Sequence, residues 1–315
     1  MIARIVIYLI LIIVLSDLYI DIHYFRKRYH VSWWLRLLWW LPCIGMVIYT
    51  CAMASIQNFA PDNLTWLNTY LFLLGMFVGP KAIFALTSFL GSIVRKYIIR
   101  TNRNWGHYIG VLLGCFAFGV FVYGLTYGIS DIRIRHVDLY FKDLPKSFEG
   151  YRVVHVSDLH LGTFDGWRSK ILKAEMDSIE KQKADLICFT GDLQNIRPEE
   201  VEQMASLIRQ PMKGTISVLG NHDYTEYIKG DAKEKAAQEA RLVNAEEQVL
   251  GWTLLRNQNT RITTPAKESI YICGTENDGK PPFPNYSDYK KAMKGIGPNS
   301  FVIMLQHDPS AWRRS

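Results

Sequence analysis

At 315 residues, with 36 Lys plus Arg against 29 Asp plus Glu and a formal charge of +7, the chain is long enough for two domains. It is too unevenly composed to be one soluble fold: residues 1–130 are mostly Leu, Ile, Val, Phe, Trp and Tyr, while the rest has the Lys, Glu, Asp and Asn content of a soluble domain. Much of the excess positive charge sits in short loops beside apolar runs, where it sets topology and meets anionic lipid head groups, so membrane lipids are expected as partners and nucleic acid is not.

Four stretches reach the roughly 20 apolar residues that a bilayer core demands. They are Ile2 to Ile20, Val31 to Met53, Leu64 to about Val94, and Tyr108 to Ile129, within a helical transmembrane domain over residues 1–130. The first also resembles a signal-peptide core behind Arg4, but "LSDLYI" offers no small-residue cleavage site and a retained anchor is expected. In the third, "GPK" (Gly79 to Lys81) should kink a long helix. A mid-bilayer lysine costs about 2.5 to 3.5 kcal/mol on insertion scales, so Lys81 is either functional or snorkels to an interface. Intramembrane charge beyond Arg36 and Lys81 is expected to be scarce. Trp33, Trp34, Trp39 and Trp40 read as an interfacial aromatic belt.

Arg26, Lys27 and Arg28 lie between the first two spans, and Arg95, Lys96, Arg100 and Arg103 between the last two; residues 55–63 hold no Lys or Arg. The positive-inside rule then leaves both termini, and the soluble domain, on the outer (periplasmic or extracellular) face of a cytoplasmic membrane. Arg4 and the Arg133/Arg135 pair pull the other way.

Residues 131–149 form a connecting segment in which "DIRIRHVDLYFKDLP" alternates like an exposed or edge strand. From residue 150 the order is a strand in "YRVVHVSDLHLG", a helix in "WRSKILKAEMDSIEKQKADL", a strand in "DLICFTGD", a helix over 198–210 and a strand in "GTISVLGNHD". A helix over about 231–248 follows, then strands in "WTLLRNQNTRIT", "SIYICGTEND" and "SFVIMLQHDP". Alternating strands and helices imply right-handed crossovers, parallel neighbours and loops delivered to one sheet edge, where open α/β sheets bind ligands. Cys43, Cys51 and Cys115 lie in spans and Cys188 and Cys273 in strand-like runs, with no CxxC pair among them. They read as buried thiols rather than disulfides or zinc ligands.

Each strand-end loop carries hard ligands: Asp158 and His160, then Gly191-Asp192, then Gly220-Asn221-His222-Asp223, and finally His307. Singly these are weak signals; in this order, each ending a strand, they converge carboxylate, imidazole and amide oxygens that suit Mn, Fe or Zn. Two divalent cations about 3.5 to 4 Å apart can share a carboxylate and neutralise the oxygens of an in-line displacement at phosphorus. Asp192, from the middle loop, is the natural shared ligand. His155, inside its strand, reads as packed or hydrogen-bonded. Glu276 and Asp278 read as a solvated loop, and Tyr224 as a candidate substrate contact.

"DLH", "GD", "GNHD" and the histidine of "LQHDP" resemble the calcineurin-like metallophosphoesterase superfamily, and four spans ahead of them resemble its membrane-anchored bacterial branch. The resemblance implies an α-β-β-α sandwich over residues 150–315 and a dinuclear centre of two divalent metal ions. It places Asp158 and His160 on the first metal, Asp192 between the metals, and Asn221 and His307 on the second. His222 is then the catalytic group that stabilises the transition state or protonates the leaving oxygen, with Asp223 orienting its imidazole. The implied activity is hydrolysis of phosphomonoesters or phosphodiesters, with lipid or lipid-linked substrates suggested by the tether. The family's final Gly-His-x-His segment is absent, and the chain ends at "WRRS". The expectation is therefore a domain incomplete at its C-terminus that binds its second metal poorly and turns over slowly or not at all. Two other readings stay open: a non-catalytic, metal-binding membrane interaction protein, and a transporter regulated by its soluble part.

Overall fold

The computed structural model describes residues 2–56, 64–281 and 283–312, and divides between Asp131 and Ile132 into two compact units. Among the described residues, four helices of the first unit are long and apolar enough to cross a membrane: Val6–Arg26, Trp33–Ser55, Leu64–Ile99 and Trp105–Ser130. Within them, α1 (Val6–Ile20) continues as a π-helical stretch, α2 (Trp33–Ser55) is unbroken, α3 (Leu64–Leu73) and α4 (Gly79–Ile93) are joined by a π-helical turn at Leu74–Val78, and α5 is Trp105–Thr126. That turn is how the chain accommodates "GPK". Pro80 has no N–H for the preceding turn and its ring crowds it, so the helix widens there and continues as one span.

Small residues set the packing of α4 on α5. The buried face of α5 is Gly106, Gly110 and Gly114, one helical turn apart. A Cβ on Gly106 would overlap the Thr87 carbonyl and stand 2.7 Å from the Gly91 Cα, so the two backbones touch where side chains would hold them apart.

Both charges noted within the spans are paired with carboxylates of the first span, Val6–Arg26. Lys81 Nζ lies 2.8 and 2.7 Å from the two oxygens of Asp17, whose side chain is wholly buried. Arg36 donates Nε and Nη2 to the two oxygens of Asp21 at 2.6 and 2.7 Å. Lys81 is thus paired rather than snorkelling. Trp39 is not simply part of a belt, because its ring lies 5.1 Å from the Lys81 ammonium.

In the second unit a parallel sheet has the order β1 (Val153–Val156), β2 (Leu186–Phe189), β3 (Ile216–Ser217), β4 (Thr253–Leu254). Its crossovers contain α6 (Ser169–Lys181), α7 (Glu199–Ile208) and α8 (Ala232–Asn244). A second sheet holds β5 (Gln258–Thr263), antiparallel to β6 (Ser269–Gly274), which pairs in parallel with β7 (Val302–Leu305). A short helix, α9 (Tyr289–Ala292), precedes β7. Leu186, Cys188, Ile216 and Val218 of one sheet share a core with Ile270, Ile272 and Leu305 of the other, closed by Phe148. On the opposite face of β3, Ser217 meets Glu246 in the turn that ends the α8 region. These are the layers of the expected sandwich.

Two expectations need correction. "WTLLRNQNTRIT" is not one strand: Asn257 adopts a left-handed φ of 54°, and the chain passes there from the first sheet to the second. Residues 131–141 carry no regular secondary structure and, among the described residues, join no sheet, and Val137, Leu139 and Tyr140 are exposed.

Candidate metal centre

Three loops at the C-terminal edge of the parallel sheet are stitched together by main-chain groups. Asp158, His160 and Leu161 donate their amides to the carbonyls of Gly191, Asp192 and Leu193, each at 3.0 Å, so the first loop runs beside the second. Asp158, His160 and Asp192 all have left-handed φ values, 56°, 43° and 61°. Asp and His are among the residues that tolerate this region, at about 1–3 kcal/mol each. These kinks turn the Asp158 and His160 side chains toward Asp192 from one tripeptide. Gly191 (φ 93°) and Gly220 let the second and third loops touch: a Cβ on either would overlap the other loop.

The candidate ligands converge. His160 Nε2 is 3.4 Å from Asp192 Oδ2 and 3.8 Å from Asp158 Oδ1. On the other side of the same carboxylate, His307 Nε2 is 3.5 Å from Asp192 Oδ1 and 3.1 Å from Asn221 Oδ1. Two overlapping donor groups result, His160–Asp192–His222 and Asp158–Asp192–His307, each with its donor atoms within 4.8 Å of one another. Asp192 belongs to both, and Asp158 is within reach of His160 and His307.

The hydrogen bonds behind these rings define what faces forward. Nδ1 of His307 meets the Thr190 carbonyl at 2.7 Å, Nδ1 of His222 the Asn195 carbonyl at 2.6 Å, and Nδ1 of His160 the Gln194 carbonyl at 3.3 Å. A carbonyl only accepts, so each Nδ1 carries the proton and a neutral ring presents a lone pair at Nε2. In neutral rings the lone pairs of His160 and His307 face the lone pairs of Asp192 and Asn221 oxygens. A cation between them removes that repulsion, and mixed imidazole, carboxylate and amide donors suit Mn, Fe or Zn, so the residues fit a divalent centre.

Asp223 does not orient His222. It is completely buried, and its carboxylate accepts main-chain N–H bonds from Asp192 and Gly220 at 2.8 Å, Leu193 at 3.1 Å and Gln194 at 3.4 Å. The two residues are adjacent on a tight 3₁₀ turn, Asn221–Tyr224, where successive side chains diverge by about 120°. Burial pushes the Asp223 carboxyl up to about 7, helped by the neighbouring Asp192 charge and opposed by the amide donors. Burial likewise holds His222 below the ordinary imidazole range, against the Asn195 carbonyl and Asp192.

Other tempting residues are accounted for. His155 Nε2 meets Thr190 Oγ1 at 2.8 Å inside its strand. Tyr224 is 4% exposed and its hydroxyl accepts the Asn277 amide at 3.1 Å, so it is a strut rather than a substrate contact. Glu276 accepts from Arg256 at 2.7 Å, and buried Asp278 accepts from Asn285 and Tyr289 at 2.8 and 2.9 Å, so neither is merely solvated. What the sequence reading missed is the backing: three carbonyls between Thr190 and Asn195, which side-chain patterns do not reveal, and Tyr227, whose hydroxyl accepts from Asn221 Nδ2 at 2.6 Å.

Residues 3–129 match the family model described as "Probable Calcineurin-like phosphoesterase, transmembrane domain", and residues 151–314 match "Calcineurin-like phosphoesterase". Among curated proteins, the "Transmembrane protein with metallophosphoesterase domain" of Danio rerio is 26% identical over 202 residues, 62% of this chain and 43% of the relative. The "Uncharacterized metallophosphoesterase YkuE" of Bacillus subtilis is 28% identical over 175 residues, 53% of this chain and 54% of the relative. The "UDP-2,3-diacylglucosamine pyrophosphatase LpxG" of Chlamydia trachomatis is 33% identical over 102 residues, 30% of each chain. The chain thus spans about half the length, or less, of these curated relatives. With the soluble-domain match covering more than half of its residues, the chain belongs to the calcineurin-like phosphoesterase family, preceded by that family's four-helix membrane domain.

Proposed function

We propose that this is a membrane-anchored, dinuclear metal-dependent phosphoesterase acting on phosphomonoesters or phosphodiesters of lipid or lipid-linked substrates. The observation that carries it is Asp192, whose two carboxylate oxygens each face the Nε2 of a different histidine, His160 and His307. Asp158 and His160 would hold one divalent metal ion and Asn221 and His307 the other, with Asp192 shared. Bound there, the metals supply charge neutralisation at the phosphoryl oxygens. His222 keeps a proton at Nδ1 against Asn195. A second proton at Nε2 would make it the acid for the leaving oxygen; burial, the larger effect, opposes that charged form and the Asn195 carbonyl favours it. Asp223 acts through the main chain, fixing the loop that carries Asp192.

The substrate class rests on the tether of four apolar helices. It is supported by one relative whose printed name makes it a UDP-2,3-diacylglucosamine pyrophosphatase. The basic loops Arg26–Arg28 and Arg95–Arg103 favour a cytoplasmic-membrane orientation with the soluble domain outside.

The test is metal content and Mn²⁺-dependent hydrolysis of bis-p-nitrophenyl phosphate by the full chain in detergent, beside Asp192→Asn and His222→Ala. Expected are hydrolysis lost with Asp192→Asn, and unchanged metal content but lost turnover with His222→Ala. Metal binding without turnover would favour the non-catalytic reading. A His222→Ala chain short of one metal would make His222 a ligand in the His160–Asp192 group. Lipid phosphoesters in mixed micelles should be cleaved better than soluble nucleotides; the reverse would remove the tethering argument. A maleimide probe on Asp165→Cys in intact cells reads the orientation directly.

A further inference from the structure

We infer that Tyr227 is a positioning residue for the second metal site, acting by fixing which atom of the Asn221 side-chain amide faces it; this rests on the dinuclear reading above. An asparagine amide has an oxygen and a nitrogen of nearly equal size on a soft terminal torsion, and only the oxygen can bind a cation. Unless its NH₂ is engaged elsewhere, the group can turn and present two N–H donors to the metal.

Here the choice is made by a side chain six residues on. Thr225 has a left-handed φ of 57°, which reverses the chain after the Asn221–Tyr224 turn and brings Tyr227 back over it. Asn221 Nδ2 donates to the Tyr227 hydroxyl at 2.6 Å, leaving Oδ1 toward His307 Nε2 at 3.1 Å. The same ring lies 4.3 Å from the His222 ring at an interplanar angle of 32°, and His222 in turn meets His160 edge to face at 4.7 Å. One half-buried tyrosine therefore restrains both an amide ligand, through its hydroxyl, and the adjacent imidazole, through its ring. The two effects are separable by substitution: Tyr227→Phe removes only the first.

Supporting groups behind a metal ligand typically change affinity by about 10–100-fold, and Tyr227→Phe is expected to weaken the second Mn²⁺ site by about 10-fold while leaving the first unchanged. The discriminating variant is Asn221→Asp. A carboxylate presents an oxygen whichever way it turns, so in the Asn221→Asp background Tyr227→Phe should change Mn²⁺ affinity by less than about twofold. The experiment is Mn²⁺ titration followed by electron paramagnetic resonance of the free ion, on the full chain in detergent, for wild type, Tyr227→Phe, Asn221→Asp and the double variant. Thermal melts confirm that each is folded.

Two Mn²⁺ bound with wild-type affinity in Tyr227→Phe would overturn the proposal while leaving the phosphoesterase reading intact. An equal loss from Tyr227→Phe in both backgrounds would also overturn it, making the hydroxyl a general structural strut. A wild-type chain that binds no Mn²⁺ would overturn both.

Discussion

His307 and Thr190 are 117 residues apart, yet the ring Nδ1 of one donates to the main-chain carbonyl of the other at 2.7 Å. The strand-end segment that supplies this carbonyl also supplies those of Gln194 and Asn195 to His160 and His222, so one loop sets the tautomer of all three imidazoles. Because the acceptor is backbone, the Thr190 side chain is not needed for it. Thr190→Val should lose only the 2.8 Å contact with His155 and change Mn²⁺ affinity by less than about threefold. His307→Ala, which removes a proposed metal donor outright, should weaken one site by at least the roughly 10–100-fold typical of losing a supporting group alone. Isothermal titration with Mn²⁺ compares the two; equal losses would mean that the Thr190 hydroxyl, not the carbonyl, matters.

Glu246 is wholly buried behind β3, accepting Ser217 Oγ at 2.6 Å while its other oxygen has no hydrogen-bond partner among the described residues. Burial, together with the charges of Asp223 and Glu247 and against that of Arg256, raises its pKa from 4.5 to about 8. A carboxyl raised in the folded state is protonated in both states below about pH 4.5 and costs nothing there. As pH climbs toward 8 the unfolded chain ionises freely and the folded one resists, so stability falls across that window. Glu246→Gln removes the penalty. Relative to wild type it should melt on the order of 5 °C higher at pH 8.5 and no higher at pH 5. A gain independent of pH would show that packing, not charge, is responsible.

The ligand loops were legible because their logic is local: a β-branched run ends, and a hard ligand follows at once, as in Val156 to Asp158 or Val218 to Asn221. Long-range main-chain contacts were not, since the carbonyls of Thr190, Gln194 and Asn195 would be the same with any side chain. The His222–Asp223 pair misled for a geometric reason, because neighbours in sequence point apart on a tight turn. Instead Asp223 gathers four amides, a role visible only once the loops are side by side. In the membrane unit, hydropathy found the spans because ~20-residue apolar runs outweigh a few charges, and for that reason it passed over Asp17 and Asp21. Asn257 shows a similar limit, since a single left-handed residue redirected a continuous strand pattern into a second sheet.

The Asp17–Lys81 pair should be worth more broken than removed. Stripping one partner leaves an uncompensated buried charge, typically at about 3–5 kcal/mol, whereas replacing both with neutral groups of similar size is close to neutral. Lys81→Met should therefore reduce the monodisperse fraction in detergent and lower the melting temperature, and Asp17→Asn in the same chain should restore both. If the double variant were no better than Lys81→Met alone, Lys81 would have a role beyond neutralising Asp17, and the transporter reading would regain support.

On the proposed assignment, Asp158 and His160 would be the donors particular to one metal position and Asn221 and His307 those particular to the other, with Asp192 shared. If a site so assigned has an open position, a small imidazole can enter it and supplies the same donor type as a histidine. Imidazole in solution, at about 10–100 mM, is expected to raise Mn²⁺ occupancy and bis-p-nitrophenyl phosphate hydrolysis by the 315-residue chain several-fold, saturably and at fixed pH. The Asp192→Asn chain should show no such rise, because it lacks the ligand common to both metals. Turnover indifferent to imidazole in the wild-type chain would mean that the residues already in place complete the coordination, and that the expectation of a weak second site is mistaken.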